Sequence, residues 1–252
     1  MRGWFRWFVR ILAVLPWPWV AAVSAAPFPS AFEAEYELTR NGIPFGTMER
    51  RLTYTANDGY RIAVRILPHK VLTLFHGEAV NEEAVGRRVG GRLRPDRYRF
   101  ERQGSEQGRR LVVEFDWVER RATMLVDDDR PWSMALPADA LDKLTQQLAF
   151  VRALSSGSQA QTYQVADGGQ LKPYTYRVLG RQTLDTALGR IQCIKVSRAK
   201  REQPPDYTLW FAPPLGYLPV RIERQQGGDA FRMDIARLDR PGTSPGTHDG
   251  NP

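Results

Sequence analysis

Hydrophobic and polar residues alternate with period two along most of the chain. Phe32, Ala34, Tyr36 and Leu38 interleave with Glu33, Glu35, Glu37 and Thr39, giving one dry face and one wet face. Tyr60, Ile62, Val64 and Ile66 alternate with Arg61, Ala63 and Arg65, and Leu111, Val113, Phe115 and Trp117 alternate with Val112, Glu114 and Asp116. Phe231, Met233 and Ile235 do the same with Arg232, Asp234 and Ala236. Half-buried alternation predicts an antiparallel sheet with one solvated face, because the strands of a buried parallel sheet are apolar on both sides. Between these runs lie Asn41-Gly42, Asn57-Asp58-Gly59, Gln103 to Gly108, Asp127-Asp128-Asp129, Asp167-Gly168-Gly169 and Gln226-Gly227-Gly228-Asp229. Such residues tolerate positive φ or bond their own backbone, as hairpin turns require. Strand and turn repeat without strand–helix–strand alternation, which predicts one extended meander and argues against a nucleotide-binding sheet.

One segment has another period. From Asp139 to about Ser155, Leu141, Leu144, Leu148, Val151 and Leu154 recur every three or four residues, on one helical face. Asp139 behind Pro137 is the expected N-cap, and Ser155-Ser156-Gly157-Ser158 the expected end. The predicted fold class is therefore mainly β: a large curled antiparallel sheet, open or a half barrel. One amphipathic α-helix, 139–155, should lie across its apolar face.

The two ends of the chain read differently. Met1 to Arg10 carries three arginines and no acid, Ile11 to Val23 is uncharged and apolar, and Val23-Ser24-Ala25 supplies small residues. That is the pattern of an export leader, with cleavage expected after Ala25. The 13-residue apolar run, broken by Pro16 and Pro18, is shorter than the roughly 20 residues that span a bilayer. Residues 240–252 are Pro-, Gly- and Thr-rich and should be disordered, leaving 26–239 as a single β-rich domain. A periplasmic location follows as the expectation. Cys193 lies far from the leader, so no lipid can be attached at a new N-terminal cysteine, and as the lone cysteine it is expected to pack in the core.

Removing the leader lowers the net charge from +8 to +5, with 33 basic against 28 acidic side chains. Glu33, Glu35 and Glu37 set against Arg61 and Arg65 have the pattern of a solvated mixed-charge surface. Nucleic-acid binding would need basic residues concentrated on one element. The pairs Arg50-Arg51, Arg87-Arg88, Arg109-Arg110 and Arg120-Arg121 sit beside turns or acids instead.

Little in the chain nominates catalysis. His69 and His76 are seven residues apart without a ligand signature, and His248 is in the tail. Gly-x-Ser-x-Gly is absent, and Asp127-Asp128-Asp129 lacks the glycine and glutamate of a calcium-binding hand. No metal, cofactor or catalytic residue is therefore assigned. Aromatic residues are the better lead. Trp117, Trp132, Trp210, Phe211 and Tyr217 are the candidate ligand-binding residues, since concave sites are lined mainly by such groups.

Three stretches resemble the exported bacterial domain-of-unknown-function family 3108. They are Leu184-Asp185-Thr186-Ala187-Leu188-Gly189-Arg190 with the strand through Arg198, Leu209-Trp210-Phe211 through Ile222, and Phe32-x-Ala34-x-Tyr36 with Gly42 and Gly46. Gly91 to Tyr98 and the segment around Leu148 also fit. The chain has Thr145-Gln146-Gln147-Leu148 where an acidic residue and a serine are expected, so no family-wide polar role is carried over there. The resemblance implies a mainly antiparallel β protein of the cell envelope and no catalytic residues. In architecture, a curled sheet holding one helix is also similar to periplasmic lipoprotein carriers and related lipid-binding half barrels. Together these features predict a non-enzymatic periplasmic protein that binds a lipid or other hydrophobic ligand in an apolar groove. The alternatives are an envelope interaction or assembly module that pairs with another protein through its sheet edges, and then an envelope-polymer hydrolase.

Overall fold

The structure, a computed structural model, describes residues 28–69, 79–104, 109–127, 129–200 and 205–241. The leader, His76, Asp128, His248 and the tail beyond Pro241 lie outside the described residues. Fourteen strands form one antiparallel sheet. Its first half is β1 (Phe32–Arg40), β2 (Ile43–Tyr54), β3 (Gly59–Pro68), β4 (Ala79–Val89), β5 (Arg92–Gln103), β6 (Arg109–Asp116), β7 (Arg121–Val126) and β8 (Trp132–Ala135). After the helix α1 (Thr145–Ser155) come β9 (Ala160–Asp167), β10 (Gln170–Thr186), β11 (Gly189–Lys200), β12 (Tyr207–Ala212), β13 (Leu218–Gln226) and β14 (Asp229–Asp239). Every consecutive pair of strands is a hydrogen-bonded neighbour except β8 and β9, and β1 pairs with β14.

The period-two pattern is realised as a buried inner face. Phe32, Ala34, Tyr36 and Leu38 are buried, as are Tyr60 and Ile62, and Val113 and Phe115. Each fully buried Leu or Ile contributes about 1.5–3 kcal/mol. The other face is a lattice of ion pairs. Glu33 pairs with Arg51 at 2.6 Å, Arg61 with Glu83 and Arg97 with Glu114, so Arg61 and Glu33 find other partners than each other. These exposed pairs are worth about 0–1 kcal/mol each, and their main effect is to keep that face wet. Register shifts at Glu35/Tyr36, Val85/Gly86, Val178/Gly180 and Trp210/Phe211 add local twist and curl the sheet.

The two outer strands are held near each other without being paired. At one end of the strands, Trp132 of β8 covers Gly169 in the β9–β10 turn; a Cβ there would fall 1.7 Å from the indole. Residues 136–144 also run from one sheet edge to the other. Leu136 N donates to Arg120 O at 2.8 Å, Leu141 N to Gln164 O at 2.9 Å, and Ala166 N to Leu141 O at 2.8 Å.

The helix differs from expectation in its start and its placement. It begins at Thr145, because Leu141 is committed to a parallel bridge with Val165 and Asp142, in place of Asp139, provides the first-turn acceptor. It does not merely lie across a face. Thr145, Gln146, Leu148, Phe150, Val151 and Leu154 are buried around most of its circumference. Leu148 packs in the larger cluster, which draws on both arms of the sheet from Tyr36 and Tyr60 to Trp210 and Ile235, whereas Phe150, Val151 and Leu154 pack with Tyr176, Val196, Leu209 and Phe211. The helix is thus inserted into the curl and joins its two halves.

Candidate functional site

In an antiparallel meander the connections alternate between two ends, and here the ends differ in kind. The end that receives α1 is filled. Asp142 Oδ1 accepts the N–H groups of Leu144 and Thr145 at 2.7 and 2.8 Å, and Oδ2 accepts the Thr145 hydroxyl at 2.5 Å. Tyr60 Oη lies 2.8 Å from the same hydroxyl, so Tyr60 donates to Thr145 as Thr145 donates to Asp142. Gly86 makes this possible, since a Cβ there would sit 2.5 Å from Tyr60 Oη. From the opposite wall Tyr176 donates to Gln146 Oε1 at 2.7 Å. Burial raises the Asp142 carboxyl to about 6, with the Thr145 and Leu144 hydrogen bonds opposing the rise. Thr145 and Gln146, which depart from the resembled family's pattern, therefore hold the plug to both walls.

Beyond the plug is a charged layer. Glu82 accepts from Tyr98 at 3.1 Å and lies 3.9 Å from Lys143, whose ammonium is 5.4 Å from the Phe100 ring centroid. Asp167 accepts from Tyr174 at 2.9 Å and is 3.4 and 3.6 Å from Lys172 and Lys200. Burial pushes the Asp167 carboxyl up, but Lys143, Lys200, Tyr174 and Lys172 outweigh it and hold it below the usual carboxylate value. Both carboxylates are thus engaged in structural contacts. Among the described residues no group of three or more His, Cys, Asp or Glu side chains is placed to hold a metal.

The opposite end is a mouth. A cavity of about 810 Å³ opens there, with an apolar wall that includes Leu38, Ile66, Val80, Phe100, Phe231 and Met233. This volume falls within the roughly 300–1,000 Å³ of small-molecule sites. Phe45 stands edge-on to Phe231, with centroids 6.2 Å apart. Polar groups occupy the rim: Arg40, Arg102, Arg224, His69 and Asp229. Asp229 is taken by Arg40 and by Asn41, whose Nδ2 donates to it at 2.8 Å. Arg224 Cζ lies over the Tyr207 ring, 5.3 Å from its centroid, and its Nε has no hydrogen-bond partner among the described residues.

The five aromatic residues proposed from sequence are not brought together, and none lines the mouth. Trp117 donates to Pro95 O at 2.7 Å and lies under Arg94 at the plugged end. Trp132 covers the seam on Gly169. Trp210 is buried, donating to Gln182 at 2.9 Å with the Lys195 ammonium 5.2 Å from its ring. Phe211 packs edge-on against Phe150 of α1 at 5.4 Å. Tyr217, at φ +59°, borders a water-sized pocket of about 30 Å³ beside Arg50 and Leu148. Cys193 is fully buried in the core, where burial raises its thiol pKa. The mouth residues carry a sequence signal, the alternating apolar positions of β1, β3 and β14, but nothing in that signal separates a cavity wall from a packed core.

A family model described as "Protein of unknown function (DUF3108)" matches residues 35–236. No curated protein is significantly similar to the chain. Among solved structures, a β-barrel-like protein of domain of unknown function DUF1849 from Brucella abortus is 13% identical, with a TM-score of 0.57. That match covers 86% of this chain and 100% of the other, and it shows a shared fold. MucB is 14% identical with a TM-score of 0.33, over 86% of this chain and 55% of its own. A Bacteroides fragilis protein of YmcC-like fold is 12% identical with a TM-score of 0.33, over 86% and 100%. Among the described residues no helix is long and apolar enough to cross a membrane.

Proposed function

The chain belongs to the DUF3108 family, a family of unknown function, and on that premise we propose that it is a non-enzymatic binding protein of the bacterial periplasm. Its ligand is a lipid, acyl chain or other hydrophobic molecule held in the mouth cavity. The observation that supports this reading is the 810 Å³ cavity itself, walled by aliphatic and aromatic side chains and opening away from the plugged end. An empty apolar cavity in water forfeits both the burial and the packing that a hydrophobic ligand restores. The N-terminal leader pattern supports the location.

The test is to purify the processed chain from the periplasmic fraction and to analyse organic extracts by mass spectrometry. A co-purifying lipid is expected, falling at least fivefold in a Val80→Trp variant that fills the wall and that, once both proteins are stripped of lipid, melts at the temperature of the parent. Repeated preparations without extractable lipid would sink the proposal. The second reading, strand addition by an envelope protein, is favoured by one feature. β9 pairs with β10 only as far as Arg177, and beyond Val178 the β10 edge has no strand partner among the described residues. A stoichiometric second polypeptide in place of lipid would support that alternative.

A further inference from the structure

We propose that the mouth selects a single-chain amphiphile with an anionic head group, the chain lying along Ile66, Val80, Phe100 and Phe231 and the head group held at Arg224. This rests on the reading of the mouth as a hydrophobic-ligand site and adds the chemistry and size of the ligand.

Size follows from volume. A cavity of about 810 Å³ lies toward the upper end of the roughly 300–1,000 Å³ of small-molecule sites and has room for one long acyl chain with its head group.

Charge follows from the rim. Among the described residues, Arg40, Arg102 and Arg224 border the cavity with one carboxylate, Asp229, which is satisfied by Arg40 and Asn41, and Arg102 is engaged as well. Arg224 stands apart. Two guanidinium groups stack on the Tyr207 ring, Arg198 at 3.9 Å and Arg224 at 5.3 Å from its centroid. Arg198 is bound by Asp206 at 3.0 Å, whereas Arg224 has no carboxylate partner among the described residues. It is Arg224 that borders the cavity. With its Cζ over the Tyr207 ring and no carboxylate partner among the described residues, the Arg224 guanidinium has N–H groups for an acceptor, in a planar fork suited to carboxylate or phosphate. A neutral ligand would cover these donors without satisfying them, and a cationic one would be repelled.

The leaderless full-length chain, stripped of co-purified lipid, is titrated calorimetrically below the critical micelle concentration with myristate, monomyristoylglycerol and dodecyltrimethylammonium. Myristate should bind at least tenfold more tightly than monomyristoylglycerol, and the ammonium compound least. Arg224→Gln should reduce myristate to the affinity of monomyristoylglycerol and leave the latter unchanged; Arg224→Lys should restore part of the difference. Unchanged monomyristoylglycerol binding also reports that each variant is folded. Equal affinity for myristate and monomyristoylglycerol overturns the anionic selectivity while the hydrophobic site stands. Discrimination that survives Arg224→Gln overturns the assignment to Arg224. Binding of none of the three overturns both the selectivity and the site.

Discussion

Asp142 has no solvent contact, yet it accepts three hydrogen bonds and sets the first turn of α1. Its folded-state value of about 6 lies above the ordinary 3.8 because burial penalises the charge. Between those two values the folded protein binds a proton more tightly than the unfolded chain. Stability from this group therefore grows as pH falls through about 6, is complete below about 4, and is lost as pH rises again. Two pH units correspond to about 3 kcal/mol, or several degrees of melting temperature in a domain of this size. Asp142→Asn keeps the acceptor for the two N–H groups and removes the titration. Thermal melts at pH 7, 6, 5 and 4.5 should show the parent gaining stability on acidification relative to the variant; parallel profiles would show that Asp142 does not titrate in this window. Such a role was hidden in the sequence, where Asp139 behind Pro137 is the expected cap and nothing singles out Asp142. Only burial beside Tyr60 and Thr145 separates them.

At the scale of elements, the strands were legible and the seam was not. Alternation in Phe32–Leu38 and Tyr60–Ile66 is a direct record of a sheet with one dry face. The helix was legible as a period but was extended six residues too far, because Leu141 and Leu144 continue the spacing of Leu148 while belonging to the strip that crosses between the sheet edges. Nor could the tryptophans be assigned. A large aromatic signals burial of apolar area, and that is as useful for closing a seam as for lining a cavity. Trp132 shows the first use. Gly169 has φ +81° and no room for a Cβ under the indole. Gly169→Ala should cost about 1–3 kcal/mol in urea denaturation, from backbone strain and displacement of the ring. In a Trp132→Ala background the steric part should vanish and the backbone part remain. An equal loss in both backgrounds would mean that the indole does not hold the seam.

The described residues form a curled sheet with one end plugged and a cavity at the other, and this mouth gathers residues from strands far apart in sequence. This is why the fold could be anticipated and the mouth cavity could not: Leu38, Ile66, Val80, Phe100 and Met233 are each unremarkable apolar positions until the sheet curls. If the mouth takes a ligand in the folded state alone, the ligand must stabilise the whole by mass action. A ligand at about 100 times its dissociation constant adds about 2.7 kcal/mol. A thermal shift of roughly 5–10 °C with saturating myristate is expected, and its absence in Val80→Trp would place the effect in the mouth. A shift that persists in Val80→Trp would place binding elsewhere. The pairing of β1 with β14 carries a further consequence, for the order of events in time. Strands β1–β8 and β9–β14 are two arms, each zipped by pairings between sequence neighbours, which need little loop closure and form early. Their union is different, since Arg40 meets Asp229 across a sequence separation of 189 residues. However early each arm assembles as the chain emerges, the middle of the sheet waits for its last strand, and until then the two innermost edges are exposed to pairing with other chains.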